Sequence, residues 1–435
     1  MFKKLRKRFY AGPWYLDRRP PQHGKYQSPT LTAGLWIYAW MYRVLTMPGR
    51  ILLMCTGLVA LYSLMSVRMP IHNLGIVLVM LYAVDFVVGF LVRPRVSVAR
   101  YLPGAIREGA SGYVRYRVTN PSKRAAWSVN LDSLPLPGEL HLDRRRAWVG
   151  GIGPGETRNL EVELTGSRRG EYTMPAVRAD TAFPFYLWRW GAIHGTPERV
   201  LVHPKFTPLR GFDLPVGRSH QPGGISMASN LADSMEFYGC REYRYGDNPR
   251  HIHWRSWART GYPVTREFRQ EYFPRVALVL DTHRPRKWHR VETNARDEVF
   301  EGAVSITAAV GEHLSRLDYV VDFFAAGREV YRFQTGRSLG YFEQLLDILA
   351  CLRPQREEPF DKLRPAVVAE AAGMTGIVLI LLSWNEERRR MLEDAAASGA
   401  SVRTVLVNES GSAPSGFPEE GTVLSTAELP QVTQL

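Results

Sequence analysis

The chain has 435 residues, of which 45% are hydrophobic and 23% are charged. This length and composition allow two or three domains with apolar cores and argue against global disorder. The formal net charge of +14 is typical either of positive-inside topology in a membrane protein, which we favour, or of attraction to an anionic surface such as nucleic acid, anionic lipid or an acidic protein. The three cysteines (Cys55, Cys240 and Cys351) form no CxxC pair, so we predict neither a disulfide framework nor a zinc site.

Two apolar runs predict a transmembrane helical hairpin over residues 51–93. Ile51–Val67 is uncharged and near the lower length limit for a spanning helix, whereas Leu74–Val92 is long enough to span. Basic residues are abundant in the aromatic N-terminal segment, residues 1–50, and return directly after residue 93, but they are scarce between the runs. By the positive-inside rule both ends of the hairpin face the cytoplasm, so the hairpin holds the rest of the chain at the membrane lipid.

Asp85 is an ionisable residue inside the second apolar run. Acids within a membrane are unfavourable and usually face a partner group or a cavity. One interpretation is a polar contact with another helix, and the other is a position near the interface or a protonated side chain. Because the predicted hairpin holds no second intramembrane charge, we favour the second interpretation.

Residues 94–205 predict a β-sandwich domain, because short strand-like runs alternate with Gly, Pro and Asn turn signals. This part of the sequence contains no constellation of catalytic residues. We therefore expect a spacer or an interaction module.

The segment of residues 206–274 contains a dense mixture of Tyr, Trp and Arg side chains within Phe237–Arg269. Aromatic residues at this density hold a segment in one conformation, and arginines can stack on their rings or bind carboxylates. Asp247 after Gly246 is typical of a turn, and Arg250 or Arg259 is its expected partner. We interpret the segment as an internal clamp that shapes a docking surface, with a dedicated partner site or a nucleic-acid site as alternatives.

Residues 275–435 alternate apolar strand-like runs with amphipathic helical runs. This alternation predicts a doubly wound α/β sheet covered by helices. Ligands in such folds bind outside the carboxyl ends of the strands.

The central motif of residues 206–274 resembles the signature of the DUF58 family, bacterial proteins often encoded beside MoxR-type AAA+ ATPases. The matching pattern reads Arg241-x-Tyr243-x-x-Gly246-Asp247-x-x-Arg250-x-Ile252-x-Trp254-x-x-x-Ala258-Arg259. The resemblance extends from about Pro94 to the end and is looser at Thr181–Leu187, where the family's acid and glycine are missing. It implies that residues 275–435 form a von Willebrand factor A-like domain.

Such domains often bind a divalent cation through Asp-x-Ser-x-Ser after the first strand, and the resemblance implies that site here. The corresponding residues are Asp281-Thr282-His283-Arg284-Pro285, so the acid is kept while His283 and Pro285 replace the two serines. Magnesium requires several hard oxygen ligands in octahedral geometry. We therefore expect a degenerate site with no metal and no cofactor, in which Asp281 bonds to Arg284 or to a backbone amide.

These observations favour a non-enzymatic adaptor or assembly factor in the bacterial inner membrane, with its soluble domains in the cytoplasm. The resemblance implies a MoxR-type AAA+ ATPase as partner, and we expect no nucleic acid. The predicted partner-binding residues are Arg241, Tyr243, Gly246, Asp247, Arg250, Trp254 and Arg259. The alternatives are a metal-dependent hydrolase that uses His251, His253 and Asp281, and a membrane-tethered nucleic-acid binder.

Overall fold

The computed structural model describes residues 41, 44–65, 69–134, 136–144, 146–212, 235–270, 275–284, 297–317, 319–326, 330–334, 339–358, 360–371 and 373–435. The chain divides into two compact units between Lys205 and Phe206.

The first unit begins with two apolar helices, α1 (Met47–Met65) and α2 (Met69–Leu91). Pro70–Leu91 is long and apolar enough to cross a membrane, whereas Met47–Ser63 is a shorter apolar helix. The second helix begins at Met69, five residues before the apolar run that starts at Leu74. Many apolar side chains of both helices are exposed in the isolated chain, as a lipid-facing surface would require.

Asp85 joins α2 to a loop that lies 100 residues further along the chain. Its carboxylate is fully buried and accepts hydrogen bonds from the backbone N–H groups of Phe185, Leu187 and Trp188, at 2.8, 3.1 and 2.9 Å. The partner is thus a loop of the β domain and not another helix. The sequence interpretation did not include this contact, because a run of backbone donors leaves no sequence signature.

The rest of the first unit is a β domain with eleven strands in the described residues. They are β1 (Ser97–Tyr101), β2 (Ala105–Arg107), β3 (Ser111–Thr119), β4 (Ala126–Ser133), β5 (Leu140–Leu142), β6 (Arg146–Ile152), β7 (Thr157–Gly166), β8 (Gly170–Met174), β9 (Val177–Thr181), β10 (Trp190–His194) and β11 (Glu198–His203).

These strands form two four-stranded sheets, with the orders β1-β3-β7-β5 and β10-β9-β4-β6, and a three-stranded sheet β2-β11-β8. Strand residues alternate between buried and exposed positions, as in β3, because one face of each strand packs on a core. Val114, Leu131 and Val202 come from the three different sheets and lie in the same apolar cluster. The expected β-rich domain is therefore present and has one shared core.

The second unit contains a two-stranded ribbon and a six-stranded sheet. The ribbon pairs β12 (Met235–Glu242) with β13 (Val264–Gln270), and α3 (Trp254–Thr260) lies between them in sequence. The sheet and its helices are β14 (Arg275–Leu280), α4 (Glu298–Arg316), β15 (Val320–Ala326), β16 (Val330–Gln334), α5 (Leu339–Cys351), α6 (Phe360–Ala371), β17 (Gly376–Leu381), α7 (Glu386–Ala397), β18 (Ser401–Asn408) and β19 (Thr422–Ser425).

The sheet order is β16-β15-β14-β17-β18-β19, and every neighbouring pair is parallel except β15 with β16. Successive residues of β14 point to opposite faces. Leu278 packs in a cluster with α4 and α5, whereas Val279 packs in a cluster with α6 and α7. Helices thus cover both faces of the sheet, as the alternating pattern predicted.

The C-terminal segment differs from expectation. The composition of residues 408–435, rich in Ser, Gly, Pro and Glu, is typical of a partly flexible tail, yet β19 adds a sixth strand, and Leu424 and Leu435 are buried. β19 is difficult to predict from sequence, because an edge strand of four residues is too short to show an alternating pattern.

We expect Asp85→Ala to accelerate hydrogen exchange at the amides of Phe185, Leu187 and Trp188 by about tenfold or more. The substitution leaves three N–H groups without their acceptor, and each such loss costs about 1–3 kcal/mol. Hydrogen exchange of the detergent-solubilised protein, followed by mass spectrometry, measures the effect. Val84→Ala is the matched control, because Val84 precedes Asp85 in α2 and its side chain is exposed. Unchanged exchange at all three amides in Asp85→Ala would contradict the assigned contact.

Candidate functional site

The signature motif folds into a compact excursion between β12 and β13. Residues 243–263 leave the ribbon, form a short 3-10 helix at Pro249–His251 and then α3. The excursion is tied back to the ribbon where the amide of Tyr243 donates to the Pro263 carbonyl at 2.9 Å. The amide of His253 donates to the Val264 carbonyl at 2.8 Å. The whole motif is therefore one continuous structural element.

A bidentate ion pair between Arg241 and Asp247 closes this element, and we call it the clasp. The Arg241 Nη1 and Nη2 atoms lie 2.7 and 2.8 Å from the Oδ2 and Oδ1 atoms of Asp247. The Arg244 amide donates to Oδ2 at 2.8 Å, and the Tyr243 hydroxyl donates to the Asp247 carbonyl at 3.2 Å. Forked arginine–carboxylate pairs fix geometry as well as charge, so the clasp holds the turn in one conformation.

The residues on either side of Asp247 fit the backbone conformation of the turn. Gly246 has φ of +105°, a value that side chains with a Cβ rarely adopt. The Asn248 side chain accepts a hydrogen bond from the Arg250 amide at 3.1 Å and caps the 3-10 helix. Gly246 thus allows the turn that precedes Asp247, and Asn248 starts the 3-10 helix that follows it.

The clasp corrects the expected pairing of Asp247. Its partner is Arg241, on the strand that precedes the turn, and not Arg250 or Arg259. A pairing across a turn depends on strand register, which the motif spacing does not reveal. Arg250 and Arg259 are instead exposed.

The seven predicted interaction residues therefore divide into two groups. Arg241, Tyr243, Gly246 and Asp247 build the clasp, whereas Arg250, Trp254 and Arg259 lie on the surface. Trp254 is 64% exposed although its ring stacks on Trp257 at a centroid distance of 5.3 Å. Tyr245, at the tip of the turn, is fully exposed, and sequence reasoning did not select it.

The hydrogen bonds to Asp247 also set its acidity. The Arg241 guanidinium and then the Arg244 amide hold the pKa of Asp247 below its usual value. The carboxylate is accordingly ionised at neutral pH, and the clasp stays closed there.

The two histidines of the motif have local partners. His253 precedes α3, and its Nδ1 lies 2.6 Å from the Ser256 hydroxyl. His251 ends the 3-10 helix and is half-buried. No cluster of three or more His, Cys, Asp or Glu side chains able to hold a metal occurs in the part of the chain that the structure describes.

A second notable site lies at the carboxyl edge of the six-stranded sheet. Asp281 follows β14 and is fully buried together with Arg388 from the first turn of α7. The Arg388 Nε and Nη2 atoms lie 2.9 and 2.8 Å from the Asp281 Oδ2 atom. The amides of His283 and Leu382 donate to the same carboxylate at 2.9 and 3.2 Å. An internal cation therefore occupies the edge at which doubly wound folds bind ligands.

Further groups surround the Arg388 guanidinium. Its Nη1 atom lies 3.1 Å from a Glu358 carboxylate oxygen, and its Cζ lies 4.6 Å from the centroid of the Phe360 ring. Burial alone lowers the pKa of Arg388, but the negative charges of Asp281 and Glu358 outweigh it and raise the pKa above the usual value. The guanidinium is therefore a permanent charge.

One of the two alternative contacts expected for Asp281 is present. The backbone amides of His283 and Leu382 do bond to it, but Arg284 does not, because its Nε atom pairs with Asp297 at 2.8 Å. Pro285 lies outside the described residues. The missed partner, Arg388, stands 107 residues away at the start of a helix rich in arginine. Only the sheet topology brings that helix to Asp281, so the sequence offered no signal for the pair.

Comparison with a protein-family model supports the resemblance. Residues 239–372 match the family described as "Protein of unknown function DUF58". The match begins in β12, includes the clasp, and extends to the end of α6.

Individual relatives are distant. A Bacillus subtilis (strain 168) protein, "Uncharacterized protein YeaD", is 23% identical over 253 residues. The aligned region is 58% of this chain, and the chain spans 59% of the length of that relative. Among solved structures, a PapD-like domain of human CEP192 is 10% identical, covers 26% of this chain and 87% of its own, and has a TM-score of 0.19. The CARDB domain of PF1109 from Pyrococcus furiosus is 13% identical, covers 25% and 97% respectively, and has a TM-score of 0.18.

The clasp makes a specific prediction about acidity. We expect the carboxyl of Asp247 to titrate below the ordinary aspartate value of about 3.9, and Arg241→Ala to move the midpoint upward. Because the folded pKa is the lower one, the contribution of the clasp to stability is present above the ordinary value and is lost as pH falls through the folded pKa. Carbon-13 NMR of aspartate-labelled protein in detergent measures the midpoint, with the resonance identified through Asp247→Asn. Arg250→Ala is the control and leaves the midpoint unchanged, and equal effects of the two arginine variants would contradict the clasp.

The buried pair makes a prediction about stability. We expect Arg388→Ala to lower the free energy of opening of β14 and β17 by about 3–5 kcal/mol, because the substitution leaves a buried carboxylate without its cation. Arg390→Ala removes exposed pairs of the same helix with Glu386 and Glu387, and its effect should stay below about 1 kcal/mol. Hydrogen exchange of the strand amides measures both variants. Similar values for the two would show that Asp281 does not depend on Arg388.

Proposed function

We propose that this DUF58-containing chain is a membrane-anchored, non-enzymatic adaptor that works with a MoxR-type AAA+ ATPase. It binds a protein partner through the exposed aromatic and basic side chains of residues 245–262, which we call the docking surface. The observation that carries the proposal is the clasp, which fixes the turn that carries the exposed Tyr245; the exposed Trp254 begins α3 in the same excursion. Aromatic residues and arginine dominate the energetics of protein interfaces, and a preformed surface loses little entropy on binding.

The charge of the docking surface favours an acidic partner. Arg250, Arg255 and Arg259 are all exposed. None of the three has a carboxylate within ion-pair distance in the described part of the chain. Such a surface attracts acidic proteins and accelerates their association. The identity of the partner as an AAA+ ATPase rests on the resemblance to DUF58 proteins.

The state of the sheet edge favours binding over catalysis. We infer that the α/β sheet is von Willebrand factor A-like and that the Arg388 guanidinium supplies, from within the chain, the positive charge that a divalent cation supplies in related domains. Asp281 already accepts bonds from Arg388, His283 and Leu382, so its oxygens are not presented to a substrate. This arrangement gives the hydrolase alternative no support from Asp281.

The membrane assignment follows from the helices. The length and composition of α2 suit a membrane span, and α1 forms the shorter helix of the proposed hairpin. Under the positive-inside rule, the basic residues that flank the two helices in the sequence favour a cytoplasmic position for the soluble domains. The proposed location is the bacterial inner membrane.

A comparison of two double variants tests the proposal. Full-length protein is purified from bacterial membranes in mild detergent, co-purifying proteins are identified by mass spectrometry, and affinity for the purified ATPase is measured. We expect Tyr245→Ala/Trp254→Ala to weaken binding by about 30-fold, the effect of losing a hot spot of about 2 kcal/mol. The matched control is Tyr113→Ala/Trp148→Ala, which removes two exposed aromatic side chains of the β domain, 57% and 68% exposed, and should bind as the wild type does.

Circular dichroism and hydrogen exchange first establish that both variants are folded. Equal binding by the two double variants would reject the docking surface, and the absence of any AAA+ ATPase among the co-purified proteins would reject the partner class. Tight binding to DNA or RNA with a steep dependence on salt would favour the nucleic-acid alternative instead.

A further inference from the structure

A loop of the β domain, residues 183–190, lies along the last two turns of α2. The Trp190 ring packs edge-on against Phe86 and Phe90, with centroid distances of 4.9 and 5.5 Å. A Cβ atom added at Gly89 would collide with the Trp190 indole and lie 3.4 Å from the Phe183 carbonyl oxygen. The loop and the helix end therefore form one packed surface, which Asp85 also holds together.

The contacts fix how deep the loop reaches along the helix. Asp85, which binds the Phe185 amide, lies about 9 Å along the axis before Leu91, and Gly89, beside Phe183, lies about 3 Å before it. The apolar face of an interfacial helix is buried by about 5–10 Å in the boundary between lipid headgroups and acyl chains. If α2 spans the membrane and ends at the headgroups, the loop lies at that depth.

The loop has no backbone N–H group that needs water. The amides of Phe185, Leu187 and Trp188 donate to Asp85, those of Phe183 and Tyr186 donate to Thr181 and Ala182, and that of Arg189 donates to Val44. Position 184 is proline and carries no N–H group. Thr46 donates through its hydroxyl to the Tyr186 carbonyl and through its amide to the Leu187 carbonyl. Irregular backbone is tolerated at membrane depth only when its polar groups are satisfied in this way.

The outer side of the loop is aromatic. Phe183, Phe185 and Tyr186 are 37%, 49% and 47% exposed. Trp127, from β4, is also exposed and stacks on Phe183 at a centroid distance of 6.5 Å. Trp and Tyr side chains such as Trp127 and Tyr186 are enriched at membrane–water interfaces, where the ring is in the apolar layer and the polar atom is hydrated. Phe183 and Phe185 have no polar atom and add apolar surface that the bilayer would remove from water.

A basic residue lies next to the loop at the end of α2. Arg93 lies two residues after Leu91, is exposed, and its Nη2 atom lies 3.3 Å from the Gly191 carbonyl oxygen. Basic residues near a membrane surface are attracted to anionic headgroups. Arg93 therefore supplies a cation of the kind that such a surface attracts.

We propose that residues 183–186, together with Trp127, form a lipid-binding loop that inserts into the cytoplasmic headgroup layer of an anionic bilayer. The proposal rests on the membrane anchoring proposed above and adds a second contact between the chain and the lipid. The occupant of the aromatic surface is the bilayer interface itself, because the loop packs on Phe86 and Phe90, which are exposed on the proposed membrane-spanning helix.

Depth-dependent fluorescence quenching tests the insertion. The three native cysteines are replaced by alanine, and single cysteines at Phe183, Phe185, Ile76 or Tyr113 carry the environment-sensitive fluorophore NBD. The full chain is reconstituted into vesicles of phosphatidylcholine and phosphatidylglycerol that contain a nitroxide near either the headgroup end or the methyl end of the acyl chain. Circular dichroism verifies that each labelled protein is folded.

The positions serve different purposes. Ile76, exposed near the middle of α2, reports the anchoring alone. Tyr113 is the soluble control, because it lies on β3 about 20 Å from Thr119, which pairs with Ser97 at the start of the β domain. We expect the Phe183 and Phe185 labels to be quenched more strongly by the shallow nitroxide, the Ile76 label by the deep one, and the Tyr113 label by neither.

The outcomes separate the two proposals. A quenched Ile76 label with unquenched Phe183 and Phe185 labels would overturn the lipid-binding loop while leaving the anchor intact, and the aromatic surface would then face water or another protein. An unquenched Ile76 label would overturn the anchor and, with it, the loop. Equal quenching at Phe185 and Tyr113 would also contradict the proposal, because it would indicate non-specific contact with the vesicle.

Discussion

A carboxylate that is removed from water must be surrounded by donors or cations, because its desolvation costs several kcal/mol. Asp85 and Asp281 are fully buried and meet this requirement in different ways, and the half-buried Asp247 has a similar set of donors. Asp85 takes three backbone N–H groups, Asp247 takes a guanidinium and one amide, and Asp281 takes a buried guanidinium and two amides. Each arrangement joins segments that would otherwise be independent, so these contacts determine where the loops and helix ends lie.

The arrangement at Asp281 has the largest consequence for function. The centre of the sheet edge is where the crossover connections diverge and where ligands ordinarily enter. Here the first turn of α7 places Arg388 there, and Phe360 lies beneath its guanidinium. The edge is filled by the protein's own groups and stabilises the sheet. This arrangement is consistent with the proposed docking surface, where Tyr245 and Trp254 are exposed.

The elements of the fold that have a local sequence pattern could be predicted from the sequence. The apolar strand β14, the helix α4 capped by Asp297, and the helix α7 capped by Asn385 all follow from periodicity and capping residues. The contacts of the aspartates were not accessible in the same way. They link residues about 100 positions apart, or depend on strand register, and neither has a local signature. The short strand β19 was missed because four residues carry almost no periodic information.

The contact of Asp85 changes how the β domain is understood. A spacer would be joined to its anchor by a flexible linker, yet only a few residues separate Leu91 from Ser97, and the loop at residues 183–190 packs on the helix itself. Because Asp85 receives three bonds from that loop, rotation of α2 relative to the β domain would leave several buried polar groups unpaired. The β domain therefore has a fixed orientation on α2. If α2 spans the membrane, the domain acts as a rigid mount at the lipid surface and not as a tether.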